Sequence, residues 1–162
     1  MKRAELTLPA GIFTLRKAEA RDVGAIVALL ADDELRASVE SSAMEHRRPY
    51  DQAFHAINSD AAQLLVVAVV PDGTVAGTMQ LSFIPGLARG GATRLQFEAV
   101  RVRSDLRGQG LGGAMIQWGM AEGSRRGARL AQLTSDLARD DARRFYERLG
   151  FEASHLGFKN AL

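Results

Sequence analysis

The sequence contains no cysteine. Structural disulfides, thiolate metal sites and cysteine nucleophiles are therefore excluded. Long hydrophobic runs are also missing. The longest, Leu64 to Val70, is far too short to span a bilayer, so no membrane partner is expected. Met1 to Ala10 carries Lys2, Arg3 and Glu5 and lacks the apolar stretch of about 7–15 residues that a secretory signal needs. The expectation is a cytoplasmic protein. No Pro/Gly/Ser-rich linker, internal repeat or low-complexity segment divides the 162 residues, so residues 1–162 read as one domain around one core. An excess of one charge is absent too: the formal net charge is +2. With no aromatic-interleaved basic motif, a nucleic-acid partner is not expected. Arginines do cluster at 101–107 and 125–148, either as solvated surface or as a basic rim for an anionic ligand.

Hydropathy patterning gives the elements. Ile12 to Ala18 alternates as a first strand, and Val23, Ile26, Val27 and Leu30 recur at helical spacing within roughly 20–32. The polar stretch 32–49 resists assignment, and Ala53, Phe54 and Ile57 indicate a short helix ending near Asn58. Gln63 to Val70 reads as a strand buried on both faces. Pro71-Asp72-Gly73 is a turn, and Val75 to Phe83 alternates as the next strand. A flexible connection, Ile84 to Thr93, leads into a strand over about 93–103. There the two-residue period slips: Leu95, Phe97 and Ala99 are apolar at odd positions, then Val100 and Val102 at even ones. Either the strand end is ragged, or a β-bulge near Ala99-Val100 absorbs one extra residue and bends the strand from its neighbour. A helix over about 110–126 (Leu111, Ala114, Met115, Trp118, Ala121), a strand at Leu130–Leu133, a helix through Ala142, Phe145, Tyr146 and Leu149, and a last strand over Phe151–Phe158 complete the chain. Gly150 suits the left-handed cap of that last helix, with Phe151 folding back over it. Helices interleaved with strands give an α/β (α+β) architecture, a sheet flanked by helices.

Between the irregular strand and the long helix lies Arg107-Gly108-Gln109-Gly110-Leu111-Gly112. Glycines let a backbone turn tightly and bring N–H groups to a ligand. The following helix start supplies further free N–H groups and a positive dipole end, so a phosphate is the natural guest. A Walker loop needs Gly-Lys-Ser/Thr where this chain has Gly112-Gly113-Ala114. The dinucleotide fingerprint is formally present, but only residues 114–162 follow it, without the second half of that fold.

Arg107-x-x-Gly110-x-Gly112 resembles the signature of the GNAT family of acyl-CoA N-acetyltransferases. Arg144-Phe145-Tyr146-Glu147-Arg148-Leu149-Gly150-Phe151 is similar to that family's Phe-Tyr-x-x-x-Gly-Phe element, and Val100-Arg101-Val102 to its fourth strand. The resemblance covers roughly residues 12–158. It implies a mixed, mostly antiparallel central sheet flanked by helices, and acetyl-CoA as co-substrate with no metal. It implies the cofactor's pyrophosphate at the loop of Arg107, Gly108, Gln109, Gly110, Leu111 and Gly112, where Arg107 would add a charge-assisted contact, and pantetheine on the backbone of Val100 and Val102 where two strands splay. The implied reaction is direct attack of an amine on the thioester, with which the absence of cysteine agrees.

Tyr146 matches the family's general acid; the alternative is a core tyrosine. Glu98 resembles the base of several members; the alternative is a strand-face glutamate paired with an arginine. Gln96, on the same face, could orient a water, and His55 and His155 are lesser base candidates. Where the family often carries a cofactor-contacting asparagine this chain has Arg139, to meet a CoA phosphate or face solvent. Asp32, Asp33 and Glu34 either attract a cationic amine or form a solvated helix end. The expected partner is a small-molecule amine, with a homodimer allowed by family habit. A non-catalytic acyl-CoA-binding or regulatory module, and an acetyltransferase of protein amines, remain open alternatives.

Overall fold

The computed structural model describes residues 1–32 and 47–161. Strands β1 (Ala4–Leu8), β2 (Gly11–Lys17), β3 (Gln63–Val69), β4 (Val75–Ile84), β5 (Thr93–Val102) and β6 (Ala128–Leu133) lie side by side in chain order in one six-stranded sheet. Successive pairs are antiparallel except β5–β6, which is parallel. Helices α1 (Val23–Ala31), α2 (Arg47–Ser59), α3 (a single turn, Ala88–Gly91), α4 (Leu111–Arg125) and α5 (Asp140–Arg148) flank it. The expected mixed, mostly antiparallel sheet between helices is thus present.

The continuous apolar run of β3 serves two faces. Leu64, Val66 and Ala68 join a core with Leu81, Phe97, Leu111, Met115 and Ile116 beneath α4. Leu65, Val67 and Val69 join a second core with Val23, Ile26, Val27 and Phe54 of α1 and α2. Each such fully buried side chain contributes about 1.5–3 kcal/mol. Helix α1 is preceded by a 3-10 turn, Ala20–Asp22, anchored by a buried fork: Arg16 Nη1 and Nη2 donate to Asp22 Oδ2 and Oδ1 at 2.6 and 2.8 Å. Helix α4 approaches β5 through glycines, because a Cβ at Gly119 would lie 2.5 Å from Phe97 Cε1 and one at Gly123 2.6 Å from Leu95 Cδ2. The buried face therefore runs through Gly119 and Gly123, and Ala121, expected inside from its spacing, is exposed.

Two expectations are corrected. Ala4–Leu8, read only as a polar start, is the edge strand β1, paired to β2 from Ala4↔Leu15 to Leu8↔Gly11. The last strand expected over Phe151–Phe158 is not formed. Ser154 N–H turns back to Glu152 O at 2.9 Å, and Ser154 Oγ meets His155 Nδ1, so the backbone curls instead of extending. Leu156 and Phe158 are 71% and 91% exposed, so no apolar burial holds the segment on the sheet. Among the described residues no helix is long and apolar enough to cross a membrane. Part of the unassigned stretch, 33–46, lies outside the described residues.

Candidate functional site

The period slip in β5 is a bulge. Gln80 pairs with Glu98 and Thr78 with Arg101, so one residue of β4, Met79, opposes two of β5, Ala99 and Val100. Ala99 takes up the extra residue at φ 52, a left-handed conformation that costs a non-glycine residue about 1 kcal/mol or more. Side-chain parity inverts as expected: Leu95 and Phe97 face α4 before the bulge, Val100 and Val102 pack on the same core after it. Pairing with β6 ends at Phe97↔Leu133. The second half of β5 thus runs on past the end of β6, and among the described residues no strand pairs with its edge on that side. Arg103 N–H donates to Ala76 O of β4, so the antiparallel alternation turns the backbone groups of Val102 and Val100 toward that open edge.

Two guanidinium groups already occupy this edge. Arg101 Nη1 donates to Val100 O at 2.8 Å and Arg107 Nε to Val102 O at 3.1 Å. Arg107 also reaches α1: its Nη2 donates to Asp32 O at 3.3 Å and to Asp32 Oδ2 at 2.5 Å. Asp32, considered as an amine attractor or a solvated helix end, is therefore an ion-pair partner of the glycine loop; Asp33 and Glu34 lie outside the described residues.

The glycine loop joins β5 to α4. A 3-10 turn, Ser104–Leu106, ends β5, and Arg103 forks onto Asp105 at 2.6 and 2.9 Å. Gln109 Nε2 donates to Asp105 O at 2.7 Å and closes the loop from inside. Gly110, at φ 91, is the first flanking residue of α4, and among the described residues no side chain caps the helix. Its opening N–H groups at Leu111, Gly112 and Gly113 precede the first intrahelical bond, Ala114 N–H to Gly110 O. Leu111 gives only its backbone, since its side chain is in the core.

Tyr146 sits on α5, half-buried, edge-on to Phe145 at 5.0 Å and to Phe151 at 5.9 Å. Phe151 N–H bonds Tyr146 O and Gly150 N–H bonds Glu147 O, a Schellman closure that uses the expected left-handed Gly150 (φ 88) and fixes the end of α5. Burial raises the phenol pKa above its ordinary value, and the charges of Arg101 and Arg139 oppose the rise. The hydroxyl is thus a protonated donor at neutral pH. Arg139, at the start of α5, acts on this tyrosine electrostatically; its expected meeting with a phosphate stays an expectation.

Glu98 is exposed on the sheet face opposite α4, and its Oε1 accepts from Gln96 Nε2 at 3.1 Å. Gln132 Nε2 of β6 in turn donates to Gln96 Oε1 at 2.7 Å. On β3–β4, Ser82 Oγ and Gln80 Nε2 donate and are gathered by Gln63 Oε1 at 2.6 and 2.9 Å. A polar row therefore crosses the sheet through cross-strand neighbours Gln63, Ser82, Gln96 and Gln132. Only Gln96 and Glu98 were candidates from sequence; the others showed only as polar residues at alternate strand positions. His55 is exposed on α2 beside Phe54, and His155 is exposed and bonded to Ser154. A separate cleft of about 620 Å³ lies near Arg3, Arg21 and Asp72; no residue of the loop or of α5 lines it.

Three comparisons bear on this geometry. The acetyltransferase (GNAT) family profile matches residues 16–151. A transcriptional regulator from Bacillus halodurans C-125 is 39% identical, superposes with a TM-score of 0.89, and is matched over 93% of this chain and 99% of its own. Glucosamine-6-phosphate N-acetyltransferase from Arabidopsis thaliana shares the fold at 20% identity, with a TM-score of 0.74 over 92% of this chain and 97% of its own. Among curated proteins, an aminoalkylphosphonate N-acetyltransferase of Salmonella typhimurium is 36% identical over 67 residues, 41% of this chain; the match spans only 44% of that relative's length.

Proposed function

The chain belongs to the acetyltransferase (GNAT) family, whose members use acetyl-CoA, and from that premise we propose that it transfers the acetyl group of acetyl-CoA directly to the amine of a small molecule, as a cytoplasmic enzyme. The observation that carries the proposal is the open edge of β5 beyond Phe97↔Leu133, which runs straight into the uncapped start of α4. A thioester cofactor with a diamide arm and a pyrophosphate needs those two features in that order. Backbone groups of Val100 and Val102 suit the arm's amides. The N–H groups around Gly108–Gly112 suit the pyrophosphate.

Acetyl-CoA, when bound, supplies an activated acyl group. Glu98, held by Gln96, takes a proton from the amine directly or through a water on the polar row. The amine nitrogen attacks the thioester carbonyl, the C–S bond breaks, and the departing thiolate receives a proton. Tyr146 is the donor, because burial keeps its phenol protonated.

The acceptor is proposed as a small amine on the precedent of the aminoalkylphosphonate relative; protein amines are the alternative class. A second reading, an acyl-CoA-sensing module without turnover, draws on the neighbour described as a transcriptional regulator. A panel of aminoalkylphosphonates, sugar amines, polyamines and peptide N-termini, followed by release of free CoA thiol, tests all three. Turnover of one small-amine class supports the proposal. Turnover of peptides alone replaces the acceptor, and acetyl-CoA binding without turnover of any amine overturns catalysis.

A further inference from the structure

The glycine loop's arginine is not poised toward its anion site. Arg107 lies across Val102 O with its Nε, and its Nη2 is held by both the carbonyl and the carboxylate of Asp32. Asp32 closes the C-terminal end of α1, 75 residues away in sequence, so this pair ties the α1–α2 side of the protein to the loop. Both side chains are about half-exposed, 51% for Arg107 and 45% for Asp32, and so are reachable from solvent. The pair opposes cofactor binding in two ways. A carboxylate beside the loop repels a dianionic pyrophosphate, and it also neutralises the arginine whose charge would attract one. In addition, Arg107 Nε fills an acceptor position on the outward carbonyl of Val102 that a pantetheine amide would use.

We propose that Asp32 is an affinity-setting residue for the acyl-CoA cofactor: an internal anion that holds Arg107 on the open β5 edge until the cofactor's pyrophosphate displaces it. The proposal rests on the cofactor reading above and adds to it a residue outside the glycine loop. Releasing Arg107 from Asp32 makes loading an exchange of one anion for another. The intrinsic affinity of the loop is thereby greater than the apparent one.

The sign of the effect makes the test decisive. Asp32→Asn removes the charge and keeps the size; Asp32→Glu keeps the charge. Acetyl-CoA binding is measured by calorimetric titration on the wild-type protein, both variants and Arg107→Gln, at two salt concentrations. Asp32→Asn is expected to bind acetyl-CoA roughly three- to tenfold more tightly, with KM for acetyl-CoA falling and kcat unchanged. Asp32→Glu is expected to stay near wild type, and Asp32→Asn in the Arg107→Gln background to lose most of the gain. A structural role alone would weaken binding. If the wild type binds acetyl-CoA but Asp32→Asn binds it equally or more weakly while unfolding at the wild-type temperature, the proposal is overturned. If the wild type does not bind acetyl-CoA, the cofactor reading itself fails and takes this inference with it.

Discussion

Two glycines separated by one residue in the α4 loop have different reasons to be glycine, and replacing each by alanine should separate them. Gly110 sits at φ 91, ψ −15, where a Cβ is strained whatever space surrounds it. Holding alanine there costs about 1–2 kcal/mol. Gly112 has ordinary helical geometry, and a Cβ would rest 3.5 Å from Phe145 Cζ and from Val102 Cγ2, a normal contact. There alanine gains up to about 0.5–1 kcal/mol of helix preference. The strain at position 110 can be met in two ways. If the loop keeps its shape, global stability falls by the full amount. If the loop relaxes, stability is spared, but the N–H groups leave the positions proposed for pyrophosphate and acetyl-CoA affinity falls by the same free energy, roughly 5–30-fold. The sum of the two losses should therefore be about 1–2 kcal/mol for Gly110→Ala. For Gly112→Ala it should be near zero or a small gain. Urea unfolding gives the first quantity and acetyl-CoA titration the second. Equal behaviour of the two variants, or a larger loss for Gly112→Ala, would refute the geometric account of the loop.

Tyr146→Phe keeps the ring contacts with Phe145 and Phe151 and removes the proton. We expect kcat to fall about 100-fold or more with acetyl-CoA affinity and melting temperature unchanged, and near-normal turnover would end the acid assignment. Gly119→Ala places a methyl against the buried Phe97 ring. With the added carbon only 2.5 Å from the ring, an overpacking cost of about 2–3 kcal/mol outweighs a helix gain of about 1 and leaves about 1–2 kcal/mol, so Tm should drop by roughly 2–8 °C; an unchanged or higher Tm would contradict the close α4–β5 approach. For Asp22, burial raises the carboxyl pKa, but the Arg16 fork, the Glu19 N–H and the charges of Arg16 and Arg21 outweigh it and hold it below the ordinary carboxylate value. A depressed folded-state pKa stabilises at pH above the unfolded value, about 3.9, and that stability is lost as pH falls through the folded value. Asp22→Asn should cost about 3 kcal/mol at neutral pH by stranding buried Arg16 and should flatten the acid limb of stability against pH. An acid limb as steep as the wild type's would contradict the assignment.

What could be seen in the sequence was whatever has a period or a forced local geometry. The bulge at Ala99 was visible because a strand cannot shift its apolar positions by one residue without an extra residue. Gly150 was visible because a helix ending under Phe151 needs a left-handed residue there. The edge strand β1 was less so, since only Ala4, Leu6 and Leu8 alternate in a polar setting and each is only half-buried. The missing last strand failed the other way: Phe151–Phe158 is apolar enough for a strand, but pairing depends on a neighbour's edge and on burial, which composition does not report. Ala121 was misplaced because glycines at 119 and 123, not apolar residues, mark the contact face of α4. The Arg107–Asp32 pair and the Gln63–Ser82–Gln96–Gln132 row join residues far apart in the chain. Such long-range polar partners leave no periodic trace.

The proposed site should bind acetyl-CoA and pass its acetyl group straight to an amine. A single-turnover reaction of wild-type protein, acetyl-CoA and the best amine from the panel, followed by mass spectrometry of protein and small molecules together, tests it most directly. Free CoA and N-acetylated amine are expected in equal amounts, with the mass of the protein unchanged throughout. Accumulation of an acetylated protein before product, or CoA release without any acetylated amine, would contradict it.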